Sequence, residues 1–306
     1  MNFIQQAYKG QPNFWKYLLP TLGLFGIFAL NSIAIAILDL DMGEMMRQEI
    51  LAKGSNRVFF ESLIIFVIFL AGLFFWVRFV HRQPIKSLTT SRDKVDIKRI
   101  FFAFSLWAII TIVVVVYAYF TVPEDFIWNF NLNKFIILAL LSIVLIPIQT
   151  SFEEYFFRGY LMQGLGVLVK NRWFPLIFTS VTFGLMHMAN PEVEKLGLIL
   201  MVYYIGTGLF LGIITLMDEG LELALGFHAS NNLVTALLVT TDWTAFQTDS
   251  ILRDVSEPSA GFDIIIPVFI FFPILTFIFS KKYGWKNWKE KLMGRVEEPT
   301  LIADEH

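Results

Sequence analysis

The chain has 306 residues, of which 56% are hydrophobic and only 16% charged, with a formal net charge of -2 and no cysteine. Its mean hydropathy is +0.62, and so much apolar surface cannot be hidden in one water-facing core, so the bilayer must be the solvent. The charge offers no basic groove, so no nucleic-acid partner is expected, and the missing thiols exclude disulfides, thiolate nucleophiles and cysteine-ligated zinc.

Eight apolar stretches follow in chain order: 17–38, 59–80, 100–121, 135–165, 174–190, 196–217, 221–240 and 261–280. A crossing helix needs about 20 residues, so the pattern predicts an all-α, polytopic transmembrane helix bundle of about eight spans. The first stretch reads as a retained helix rather than a cleaved signal. The fourth is too long for one perpendicular crossing and must tilt, break or protrude. The fifth and seventh are short and carry His187, Asn190, His228, Asn231 and Asn232, so both are expected in the bundle interior. With the N-terminus inside, the inner segments hold 16 Lys and Arg against 6 outside, which predicts cytoplasmic termini for an integral protein of a bacterial cell membrane. His187 then falls near the outer end of the fifth span. From Lys281 the tail is basic and Trp-rich and is expected at the headgroup level.

Ionisable groups inside spans cost roughly 2.5–3.5 kcal/mol each on insertion scales and so need pairing, water or function. Glu154 and Arg158 are one helical turn apart and should pair. Glu153 lies about 100° away round the helix, free to face elsewhere as a general base. His187 follows Phe183 by one turn, and Asn232 follows His228 by one turn. Of the four histidines, His81 lies in a loop and His306 ends the chain, so the other two are the intramembrane pair. Two carboxylates, two imidazoles and an amide suffice to activate a water and hold an oxyanion. A Ser/His mechanism is disfavoured, because Ser230 points to a different side of the helix from His228. A zinc ion held by Glu153, His187 and His228 is possible, although the HExxH spacing is absent. In the metal-free alternative, Glu153 with His187 deprotonates a water while His228 and Asn232 stabilise the oxyanion.

The order Glu153-Glu154-Tyr155-Phe156-Phe157-Arg158, then Phe183-Gly184-Leu185-Met186-His187, then His228-Ala229-Ser230-Asn231-Asn232 resembles the CPBP family. That family groups type II CAAX prenyl endopeptidases with bacteriocin-processing and self-immunity (Abi) homologues. The resemblance covers roughly 135–240, with no departure from the motif pattern. It implies an intramembrane endopeptidase in which Glu153, His187, His228 and Asn232 are catalytic and Glu154 and Arg158 support them, without a certain cofactor. The implied partner is a membrane-associated peptide, prenylated at a CAAX end in one branch of the family. The chain then divides into N-terminal helices (1–134), a catalytic core (135–240) with its site among spans four to seven, and a last span with tail (241–306). Two other readings of the cluster are a structural network in an immunity or partner-binding protein and a proton relay in a transporter.

Overall fold

A computed structural model describes residues 1–299; His306 and the last residues of the tail lie outside the described residues. The architecture is an all-α bundle. Its main helices are α1 (Phe14–Ile37), α2 (Met42–Lys53), α3 (Ser55–Val80), α4 (Ile97–Thr121), α5 (Leu132–Val169), α6 (Trp173–Leu185), α7 (Pro191–Leu196), α8 (Leu200–Asp218), α9 (Glu222–Leu238) and α10 (Ile264–Tyr283). Six of these, α1, α3, α4, α5, α8 and α10, are long and apolar enough to cross a membrane. The shorter α6 and α9 complete the eight helical stretches expected from the sequence, and the protein is an integral membrane protein.

The two chain ends share one face of the bundle. Gln5 Nε2 donates to the Glu297 carbonyl at 2.9 Å, and Arg172 N–H donates to the Gly294 carbonyl at 3.1 Å. The opposite face carries a small sheet in the order β1 (Phe126–Trp128), β3 (Leu252–Asp254), β2 (Val239–Thr240). Phe126 pairs antiparallel with Asp254, and Val239 pairs parallel with Leu252. This sheet ties the loop after α4 to the loop after α9, a connection that hydropathy does not reveal.

At 38 residues, α5 is about 57 Å long, well beyond a hydrocarbon core of about 30 Å. Its last turns, Met162–Val169, protrude along the N-terminal face, where Gly166 meets Ile4 and Gly164 meets Tyr17. A π-helical turn, Tyr155–Leu161, follows directly after the two glutamates. Such turns insert a residue into the helix and re-aim its side chains, and they recur at functional sites.

Two expectations change here. The first concerns His187. α6 has 13 residues and rises only about 20 Å, ending at Leu185 before a run of turns. His187 therefore lies in the turns beyond the end of α6. Counted from the turn 170–172, Glu154 and His187 are each about 21–22 Å along their helices, so the two motifs share a level. The second is the interior placement of both short helices. α9 is buried along most of its length, but α6 leaves Trp173, Ile177 and Leu185 half-exposed on one side. Lipid can accept that apolar side because every polar motif residue of this segment sits on the other side or beyond the helix end.

Close helix approach at glycines assembles the centre. A Cβ on Gly208 of α8 would stand 2.7 Å from the Ser180 carbonyl oxygen of α6, and one on Gly226 of α9 would stand 2.1 Å from the Ile100 carbonyl oxygen of α4. Without side chains at these positions the backbones nearly touch, as small residues permit in membranes. Aromatic rings fill the remaining space: Phe152, Phe156, Phe157, Tyr160 and Phe183 form one buried cluster around the α5 motif.

Candidate active site

Glu154 and Arg158 are both fully buried on α5 and pair across one helical turn, with Arg158 Nη1 3.0 Å from Glu154 Oε1. The expected ion pair is thus present. The guanidinium also donates from Nη2 to the Gly208 carbonyl at 3.2 Å and lies over the Phe183 ring at 4.3 Å. The close approach at Gly208 therefore supplies a backbone acceptor to a charge that lipid would not tolerate.

The same carboxylate receives a second donor. His228 Nδ1 is 2.7 Å from Glu154 Oε1. An ionised carboxylate only accepts, so Nδ1 carries the proton and Nε2 faces the other way. There it stands 3.6 Å from Glu153 Oε2. Glu154 Oε1 is thus shared by Arg158 and His228, while its Oε2 has no hydrogen-bond partner in the protein, and a reading of α5 alone could not reveal this.

Glu153 turns to the other side of α5. Its Oε1 accepts a short hydrogen bond from Gln149 Nε2, and its Oε2 has no hydrogen-bond partner in the protein. Glu153, Gln149, His187 and Asn232 line one cavity of about 470 Å³ between α3, α5, the end of α6, α8 and α9. Its remaining wall is largely apolar and includes Phe28, Phe66 and Met186. The cavity thus brings Glu153, His187 and Asn232 together, and His228 reaches it through its contact with Glu153.

His187 lies in the turn after α6. Its Nδ1 is 2.8 Å from the Phe183 carbonyl, which fixes the proton on Nδ1 and leaves Nε2 unprotonated in the neutral ring. The ring stacks on Tyr204 of α8 with centroids 4.3 Å apart and planes at 21°. Tyr204 in turn donates to Glu192 Oε1 at 2.6 Å, and Glu192 Oε2 accepts from the Ala245 N–H at 2.9 Å. Glu192 thereby joins α7, α8 and the loop over the cavity.

Asn232 does not stand free. One of its amide protons goes to Gln149 Oε1 at 3.1 Å, and its own oxygen accepts from Asn231 Nδ2 at 3.1 Å. Gln149, Asn231, Tyr204 and Glu192 are site residues that the motif reading missed. Gln149 carried a signal, being a polar side chain one turn before Glu153 in an otherwise apolar run. Tyr204 carried none, because an aromatic in a span usually packs.

The set Glu153, His187 and His228 does not fit a zinc ion. Among the described residues, no three His, Asp or Glu side chains converge as a metal-binding group. Glu153 and His228 engage each other and their own partners, while His187 is held against Tyr204 and the Phe183 carbonyl.

Residues 132–234 match the family model described as type II CAAX prenyl endopeptidase Rce1-like. An uncharacterized protein, YyaK, of Bacillus subtilis (strain 168) is 29% identical over 252 residues, covering 78% of this chain and 83% of that relative. No solved structure matches the chain. The matched segment runs from the start of α5 into α9 and contains all three motifs and the cavity residues Gln149, Glu153, His187 and Asn232; the protein is an integral membrane protein that carries an Rce1-like domain.

Proposed function

We propose that the protein is an intramembrane endopeptidase that hydrolyses a peptide bond of a membrane-associated substrate with a water activated by Glu153. The observation that carries this reading is the contrast between adjacent carboxylates. Glu154 is fully buried with its Oε1 taken by Arg158 and His228, whereas Glu153 lines the cavity and its Oε2 accepts no hydrogen bond, with only His228 Nε2 near it at 3.6 Å. A general base has to offer an open lone pair within reach of the proton it removes.

In the proposed reaction Glu153 Oε2 takes a proton from water as its oxygen bonds to the scissile carbonyl carbon. The unprotonated Nε2 of His187 assists by accepting a hydrogen bond from the same water. The tetrahedral oxyanion accepts from the second N–H of the Asn232 amide, since Gln149 uses only one. His228, held between the two glutamates with Nε2 3.6 Å from Glu153 Oε2, is the second group at the oxyanion. Collapse breaks the C–N bond, and the proton held by Glu153 passes to the leaving amine. A CAAX-type C-terminus is the substrate that the family name suggests, and the apolar wall of Phe28, Phe66 and Met186 suits a lipid-modified peptide. The positive-inside bias supports cytoplasmic termini.

The test is cleavage of a quenched fluorescent peptide by the purified protein in liposomes. Glu153→Gln is expected to lose about 10²–10⁴ in kcat, the usual worth of a positioned base, with unchanged expression and elution. Equal cleavage by the variant and the parent would overturn the assignment. Ion flux through proteoliposomes without proteolysis would instead support a proton relay built on the same residues.

A further inference from the structure

A chain of hydrogen bonds leads into Glu153 from across the bundle. Trp107 Nε1 of α4 donates to Asn231 Oδ1 of α9 at 3.0 Å. Asn231 Nδ2 donates to Asn232 Oδ1 at 3.1 Å, Asn232 Nδ2 donates to Gln149 Oε1 at 3.1 Å, and Gln149 Nε2 donates to Glu153 Oε1. The two ends decide the direction. An indole N–H can only donate and an ionised carboxylate can only accept. Three amides strung between such ends have one orientation that makes every link: each shows its oxygen toward Trp107 and its nitrogen toward Glu153. Tyr203 adds a longer donor contact to Asn231 Oδ1 at 3.5 Å.

We propose that Trp107, Asn231, Asn232 and Gln149 form a one-way hydrogen-bond relay that holds Glu153 by Oε1 and leaves Oε2 as the reactive oxygen. The proposal rests on the reading of Glu153 as the base. Trp107 and Gln149 are positioning residues, acting through the amides and not on the substrate. Aligned donors polarise one another in a low dielectric, so the relay supplies Glu153 with a stronger donor than a lone glutamine, without adding a charge to the cavity. The placement of Trp107 accords with this role. Tryptophan in membrane proteins favours the two interfaces, yet this ring lies inside the bundle, 4.8 Å from Phe227 and 6.1 Å from Phe272 by centroid, with its N–H turned to α9.

The relay predicts a pH signature. The charged and titratable groups around Glu153 are Glu154 and Arg158 on its own helix, His228 on α9, His187 beyond α6, Glu192 on α7, Tyr203 and Tyr204 on α8 and Asp254 on β3; α1 and α3 present Phe28 and Phe66 to the cavity. None of these but the Tyr203 hydroxyl changes when the relay is cut at its head by Trp107→Phe with Tyr203→Phe, and none at all when it is cut at its foot by Gln149→Leu. Each cut is expected to lower kcat about three- to tenfold, the net worth of one ordinary hydrogen bond, with KM unchanged. The acid limb of the pH–rate profile should move up by roughly half to one unit. Because both cuts break one chain, the combined variant should be no slower than Gln149→Leu alone. Multiplying effects, or an unmoved acid limb, would overturn the relay.

A second readout needs no substrate. The infrared difference between the parent protein and Glu153→Gln isolates the Glu153 carboxylate, and cutting the relay at Trp107 and Tyr203 should shift that band and its titration. A shifted band in a protein that cleaves no peptide would retire the protease reading and keep the relay. Peptide cleavage that depends on Glu153, with an unshifted band, would do the reverse.

Discussion

Replacing Arg158 by methionine tests whether the α5 motif is held together by charge. The guanidinium is fully buried and makes three contacts: Glu154 at 3.0 Å, the Gly208 carbonyl at 3.2 Å and the face of Phe183 at 4.3 Å. Methionine fills much of the same volume but leaves Glu154 charged, buried and supported by His228 alone. Removing one partner of a buried pair costs about 3–5 kcal/mol, because the remaining charge is desolvated without compensation. The double variant Glu154→Gln with Arg158→Met removes both charges and should recover a large part of that loss, since apolar or neutral replacements of buried pairs are often near neutral. Reversible unfolding in mixed micelles, followed by near-UV circular dichroism, reads both. The reasoning fails if Arg158→Met costs less than about 1 kcal/mol, or if the double variant loses as much as the sum of the two single changes.

Two further predictions concern parts of the molecule away from Glu153. His81, buried beneath Tyr17 and Tyr160 just beyond the end of α3, has its pKa lowered from 6.5 to about 4, chiefly because burial disfavours the imidazolium. Between those values only the unfolded chain takes up the proton, so stability is complete above about pH 6.5 and falls as the pH drops toward 4, by up to about 3 kcal/mol; unfolding midpoints of the parent and His81→Gln over this range should converge at low pH. Gly226→Ala would drive a Cβ to 2.1 Å from the Ile100 carbonyl oxygen and force α4 and α9 apart, costing at least 1–3 kcal/mol and lengthening the Trp107–Asn231 link; thermal unfolding measures the first effect and the Glu153 infrared band the second.

The helical repeat made part of the site legible. Spacing of four residues put Glu154 with Arg158 on one face of α5, and the same arithmetic turned Glu153 away from them, both as found. It could not show that His228 gives its Nδ1 to Glu154, because that contact joins residues 74 positions apart. Nor could it show that one of the two amide protons of Asn232 is committed to Gln149. Nor does hydropathy register where α6 ends. The apolar run continues past Leu185, but the backbone turns there.

Composition and motif order alone determined that this protein lives in a bilayer, that its polar groups gather in the second half, and that one glutamate of the pair is spare. Those properties follow from transfer free energy and from the period of a single helix, both of which act on near neighbours in sequence. Only the tertiary structure decided which groups meet across helices. The glycine contacts at Gly208 and Gly226 set how closely α6, α8, α4 and α9 approach, and a rotation or shift of one side-chain width would uncouple Arg158 from Gly208 and Trp107 from Asn231. The position where each helix stops and the backbone approach it allows are properties of the packed bundle, and they bring Glu153, His187 and Asn232 around one cavity with His228 against Glu153.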